Sequence, residues 1–170
     1  MTRFDKFISI IFKNEGIYSN DPSDSGGKTK YGISDARDGK VDGLVDTNDD
    51  GKGDLKVESL TLDNAKQIYK HAYYDFCQID KITNELLALH LFDFAVNSGV
   101  GRACKLLQEI AGVKQDGQIG NITIAKVNST DYSKQYIQER LNFYNRIGVG
   151  KNAKFLNGWK NRISNTTKSL

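Results

Sequence analysis

A mainly α-helical fold is what this 170-residue chain predicts, on three observations. Apolar residues recur at helical spacing in several separate segments. A single proline, Pro22, leaves those segments uninterrupted. One stretch, Glu85 to Asn97, is apolar nearly all round, as a helix at the centre of a core must be. The length fits one compact domain or two small lobes. Hydrophobic residues make up 38% and charged residues 26%, so the chain can bury a core without large disordered regions.

Phe4, Phe7, Ile8, Ile11 and Phe12 fall on one helical stripe. Glu15 lies three residues further along that stripe, and Gly16 can end the helix. Residues 16–58 read as irregular. Their signals are turns: Asp21-Pro22, Gly26-Gly27, Asp38-Gly39, Asp42-Gly43 and Asp50-Gly51. So long a loop in a compact domain points to function or a bound ion. Thr61 can cap a helix from Leu62 to about Tyr74, with Ala65, Ile68, Tyr69 and Ala72 inward. Asn84 can cap the central helix. Further helices are expected from Arg102 to Ala111, from Tyr132 to Ile147, and around Phe155, Trp159 and Ile163, with a short turn at Thr123.

The net charge of +3 and pI of about 8.7 suit an anionic polymer but do not establish one. No dense Lys/Arg run marks a nucleic-acid binder. No segment is apolar for the length of a membrane span, so no membrane insertion is expected. The segment Met1 to Asn14 contains Asp5 and lacks the apolar core of a secretory signal, which predicts synthesis in a cytoplasm. Cys77 and Cys104 have no metal or redox spacing and read as small, reduced core residues. His71 and His90, 19 residues apart, read as structural or surface groups. A monomer is expected.

Glu15 is the first candidate for chemistry. A glycosidase acid must keep its proton near neutral pH, and apolar surroundings favour the uncharged form. A carboxylate also sits poorly at the negative end of a helix. The alternative is a glutamate at a frayed helix end facing water, and periodicity alone leaves both open.

The segment Glu15-Gly16-Ile17-Tyr18, Asp21-Pro22-Ser23-Asp24-Ser25-Gly26-Gly27-Lys28-Thr29 and Gly32-Ile33 resembles the signature of glycoside hydrolase family 108, with Ile17 where a second Gly is usual. These are lysozyme-like N-acetylmuramidases of phage endolysins and wall-release factors. Phe92-Asp93-Phe94-Ala95-Val96-Asn97-Ser98-Gly99 is similar to the family's central helix. Leu107-Gln108, Gly112-Val113, Asp116-Gly117-Gln118-Ile119-Gly120 and Thr123 resemble the peptidoglycan-binding segment that follows it. Arg140, Tyr144, Gly158-Trp159 and Arg162 match its closing part. The resemblance covers nearly the whole chain apart from residues 35–58.

The resemblance implies a lysozyme-like helical globule with a long central helix and an irregular Gly/Asp-rich insertion, 35–58, after the first helix. It implies a muramidase region over 1–98 and a peptidoglycan-binding-like region over 99–170, packed on one core. The implied reaction is hydrolysis of the β-1,4 bond between N-acetylmuramic acid and N-acetylglucosamine in peptidoglycan, with Glu15 as acid. Asp24 or Thr29 then positions a water or stabilises the cationic transition state. The alternative for both is that they shape the loop. Tyr31 and Asn97 are candidates for holding the sugar, Asn97 also reading as a helix-end hydrogen bonder. No cofactor is expected for catalysis. An enzyme of this kind, made in a host cytoplasm, reaches the wall by holin-type release or dedicated export. Competing readings are a lytic transglycosylase, a chitinase, or a silent wall-binding scaffold.

The acidic loop carries a separate expectation. Asp38, Asp42, Asp46, Asp50 and Asp54 recur every four residues. Asp46, Asn48 and Asp50 with Gly51 follow the spacing of an EF-hand calcium loop, the Lys52 carbonyl and Asp54 taking later positions. Val57 stands at the twelfth position, where a Glu is usual, and Glu58 comes one late. Asp38 or Asp42 can complete the shell. Calcium here is expected to be structural; the alternative is a polar surface loop.

Overall fold

The computed structural model describes residues 1–15, 29–34, 40 and 42–170, with the backbone alone for Glu15 and Thr29. The fold is mainly α, with seven α-helices among the described residues. The chain forms two compact units, Met1–Ala72 and Tyr73–Leu170. Asp24 and Asp38 lie outside the described residues. No helix among the described residues is long and apolar enough to cross a membrane.

The first unit opens with helix α1, Arg3–Glu15. Thr2 caps it: the Asp5 amide donates to Thr2 Oγ1 at 3.1 Å, and the Thr2 amide donates back to Asp5 Oδ2 at 2.9 Å. Its apolar stripe is buried at Phe4, Phe7, Ile8 and Ile11, as the spacing required. Two small hairpins occupy the region expected to be irregular. Strand β1, Thr29–Lys30, pairs antiparallel with β2, Ile33–Ser34, around a turn in which Tyr31 and Gly32 both take positive φ. Strand β3, Leu44–Val45, pairs antiparallel with β4, Leu55–Lys56, and so closes the acidic loop at its base. Glycine is required at Gly53, because a Cβ there would stand 2.5 Å from the Leu44 Cβ. Helix α2, Leu62–Tyr69, begins with a reciprocal cap between Thr61 and Asn64. It then loosens into a π-helical turn, Lys70–Asp75, rather than continuing as α-helix to Tyr74.

The second unit is built around α3, Glu85–Ser98, capped by Asn84, whose side chain accepts from the Leu87 amide at 2.9 Å. Residues Leu87 to Ala95 are all buried in it. Each fully buried Leu or Phe contributes about 1.5–3 kcal/mol relative to leaving it in water. Helix α4, Val100–Ala111, follows after Gly99 at φ +92°. The remaining helices are α5, Asn121–Ser129; α6, Ser133–Ile147; and α7, Leu156–Lys168. α3 packs against α4, α6 and α7. The expected turn at Thr123 is thus a nine-residue helix. Phe155 falls in a 3-10 turn just before the last helix.

Gln108 ties the Asp116–Gly120 loop to α4. Its Oε1 accepts from the Gly117 amide at 2.8 Å, and its Nε2 donates to Asp116 Oδ1 at 2.8 Å and to the Gln118 carbonyl at 2.9 Å. Cys77 and Cys104 are free, fully buried thiols with sulfurs 3.5 Å apart.

Candidate active site

Glu15 is the last residue of α1, and Thr29 is the first residue of β1. Both belong to the first unit, together with Tyr31. Their surroundings are held by Tyr69 on α2. Its ring meets Phe12, in the last turn of α1, edge-on at 5.4 Å. Its hydroxyl donates to the Tyr31 carbonyl at 3.1 Å. One buried side chain therefore joins the helix that ends in Glu15 to the hairpin that carries Thr29 and Tyr31. The sequence marked Tyr69 only as an inward-facing residue. Tyr31 is half-buried, at φ +55°, and the Lys30 ammonium lies 5.6 Å from its ring centre. A tyrosine held at positive φ is costly, and such strain is kept where a turn must aim a side chain.

Asn97 belongs to the second unit, near the end of α3. Its Oδ1 accepts from the Tyr144 hydroxyl at 2.5 Å, and Tyr144 in turn stacks on Trp159 with ring centres 5.2 Å apart. The Asn97 amide NH2 has no partner among the described residues, so it can donate to a sugar hydroxyl or acetamido carbonyl. Its side chain therefore uses its acceptor oxygen and leaves half its hydrogen-bonding capacity spare.

Behind Asn97 lies a charged core that spacing did not disclose. Asp93, one turn earlier on α3, is fully buried. Its carboxylate accepts from Arg140 Nη2 at 2.8 Å and from Arg162 Nε at 3.0 Å. Burial pushes the carboxyl up, but the two guanidiniums outweigh it and hold Asp93 below the usual carboxylate range. Arg140 Nη1 donates to His90 Nδ1 at 2.8 Å. Arginine can only donate, so His90 carries its proton on Nε2, which faces Thr167 Oγ1 at 3.0 Å. His90 is therefore a structural histidine, while His71 is exposed.

Burial and the Arg140 charge lower the His90 pKa from 6.5 to about 3. Unfolding lets this imidazole take up a proton across that interval, so the unfolded state binds more protons and stability falls as the pH drops from 6.5 towards 3. The full slope is about 1.4 kcal/mol per pH unit. Replacing His90 by Gln is expected to flatten this part of the stability–pH curve in urea titrations. An unchanged slope in the variant would show that other groups cause it.

In the acidic loop, Asp46 is buried and gathers the loop's amides. Its Oδ2 accepts from Gly51 N at 2.8 Å, and its Oδ1 from Asn48 N at 3.2 Å and Asp50 N at 3.3 Å. Burial raises this carboxyl, but the amide donors prevail and lower it overall. Asn48 Oδ1 accepts from Asp50 N at 3.0 Å, and Asp50 Oδ1 from Lys52 N at 2.9 Å. Asp54 accepts from the Thr47 amide and hydroxyl. Asp49 and Gly51 take positive φ. Asp42 accepts from the Leu44 amide at 3.0 Å. No group of three or more His, Cys, Asp or Glu side chains converges for a metal among the described residues.

Comparison with known proteins decides the family. Residues 8–99 match the model of glycosyl hydrolase 108, and residues 102–164 match that of a predicted peptidoglycan domain. The chain belongs to the glycosyl hydrolase 108 family. The family 108 span includes Glu15, Thr29, Tyr31 and Asn97, and it ends with the central helix. No curated protein matched at a significant level. Among solved structures, that of Brucella abortus SagA is similar, with 32% identity, 98% of this chain and 93% of that chain covered, and a TM-score of 0.77. This family 108 protein is thus a glycoside hydrolase of mainly α, lysozyme-like fold, and its polymer partner is peptidoglycan.

Proposed function

We propose that this family 108 hydrolase is an endolysin-type N-acetylmuramidase. It hydrolyses the β-1,4 bond from N-acetylmuramic acid to N-acetylglucosamine. The observation that carries the reading is the position of Glu15. It is the last residue of α1, it opens the Glu-Gly-x-Tyr motif, and it falls within the matched family 108 span. Glu15 protonates the glycosidic oxygen as the bond breaks. Asp24 or Thr29 positions the attacking water or stabilises the oxocarbenium-like transition state. Tyr31 in the first unit and Asn97 in the second are each candidates to hydrogen-bond sugars of the glycan strand. Region 1–98 acts as the muramidase, and region 99–170 holds the wall. The enzyme acts after release or export from the cell that makes it.

Reduction of digested wall with borohydride tests the bond assigned. Muramitol at the new ends is the expected product, whereas glucosaminitol would move the cut to the other glycosidic bond and sink the muramidase reading.

The acidic loop adds a structural calcium site in this proposal. The Asp46–Gly51 contact and the Asx turns at Asn48 and Asp50 give the loop the curl that the spacing requires. The acidic side chains do not converge among the described residues, so in this proposal Asp46, Asn48, Asp50, Asp54 and the Lys52 carbonyl are the oxygens that close on the ion as it binds. Calcium is expected to raise the melting temperature, and a chelator to reverse the gain. Melting that ignores both calcium and chelator removes the metal from the account.

A further inference from the structure

We propose that the groove between α4 and α6 is a binding site for the carboxylate-bearing peptide stem of peptidoglycan. This rests on the reading of the chain as a peptidoglycan-cleaving enzyme. The groove lies wholly in the second unit and encloses about 540 Å³. Its floor is apolar, formed by Leu106 and Phe143 with Phe94 packed beneath them. Phe94 is fully buried, and Phe143 meets it edge-on at 5.5 Å.

Three cations line this floor: Arg102, Lys105 and Arg146. Glu109 is the single acidic residue lining it, so three positive charges less one leave a net +2. Arg102 is already set in place. Its Nη1 donates to the Ser98 carbonyl at 2.8 Å, and its guanidinium lies 4.9 Å from the Phe143 ring centre. Lys105 and Arg146 are exposed and have no hydrogen-bonding or ionic partner among the described residues.

The chemistry that fits is anionic at one side and apolar at the other. Guanidinium and ammonium groups make charge-assisted hydrogen bonds to carboxylates. The aromatic floor takes small aliphatic groups. Unmodified sugar rings of a glycan strand offer no such anion, because the lactyl carboxyl of a substituted muramic acid is tied up as an amide. The peptide stem offers both features, as free carboxylates beside alanyl methyls. A volume of this size suits a ligand of a few residues rather than a folded partner. The second unit therefore grips the wall by its peptides.

Calorimetry on the full chain tests the site with three probes: the free stem tripeptide, the same peptide with its carboxyls amidated, and inorganic phosphate. The tripeptide is expected to bind, and amidation to weaken it about tenfold or more. The double substitution Lys105→Gln/Arg146→Gln is expected to weaken it similarly without changing the melting temperature. Equal affinity for the amidated peptide, full binding by the double variant, no tripeptide binding, or phosphate binding as tightly in competition would each overturn the proposal. Cleavage of peptide-stripped glycan strands reads the muramidase assignment separately. If wild type cuts neither these nor whole wall, the enzymatic reading fails, whatever the calorimeter shows.

Discussion

Glu15→Gln is expected to lower peptidoglycan hydrolysis by roughly two to four orders of magnitude, the range a positioned general acid supplies. The substitution keeps the shape of the side chain and removes only the transferable proton. Melting temperature should stay close to wild type, and so should sedimentation with intact wall. That combination separates a lost acid from a lost fold. A Glu15→Gln enzyme that clears wall suspensions at the wild-type rate would remove Glu15 from the mechanism and favour an acid elsewhere in the family 108 span.

The second large effect concerns Asp93. Replacing it with Ala is expected to cost about 3–5 kcal/mol, the penalty for leaving buried charges without their counter-ion. Two guanidiniums depend on it, Arg140 at 0% exposure and Arg162 at 9%. For a chain of this length the loss corresponds to a fall of roughly 6–20 °C in melting temperature. Arg162→Gln should be milder, because Arg140 would still neutralise the carboxylate. The pH dependence has a definite sign. The folded carboxyl lies below its ordinary range, so its contribution is fully present above the unfolded pKa and is lost as the pH falls through the folded one. A urea midpoint for Asp93→Ala equal to wild type, with an unchanged slope, would contradict a structural role for the triad.

The helices that bury long apolar stripes were legible from the chain. Phe7, Ile8 and Ile11 announced α1, and the all-apolar run announced α3, because burial imposes a period that survives in the sequence. Helix α5 was not legible. Only Thr123 and Val127 are buried in it, and Ile122 is largely exposed, so its apolar residues trace no stripe. The hairpins escaped for another reason: strands of two residues are too short to carry an alternation. Within the site, the placement of Glu15 on helix α1 followed from the spacing of its apolar stripe. The link from Phe12 through Tyr69 to Tyr31 did not, because Tyr69 lies 38 residues from the carbonyl it bonds. Asp93 was visible as one acid in an apolar helix. Its partners were not, since Arg140 and Arg162 lie 47 and 69 residues away.

Hydrolysis at a muramic acid end leaves an isotopic signature. Purified peptidoglycan is digested by the wild-type protein in water enriched in oxygen-18, and the soluble fragments are weighed by mass spectrometry. Fragments with N-acetylmuramic acid at the reducing end are expected, each carrying one heavy oxygen at the new anomeric centre, because water is the nucleophile. Unlabelled anhydro-muramic ends would contradict hydrolysis, since they form when the sugar's own hydroxyl closes the ring and no water is positioned beside Glu15.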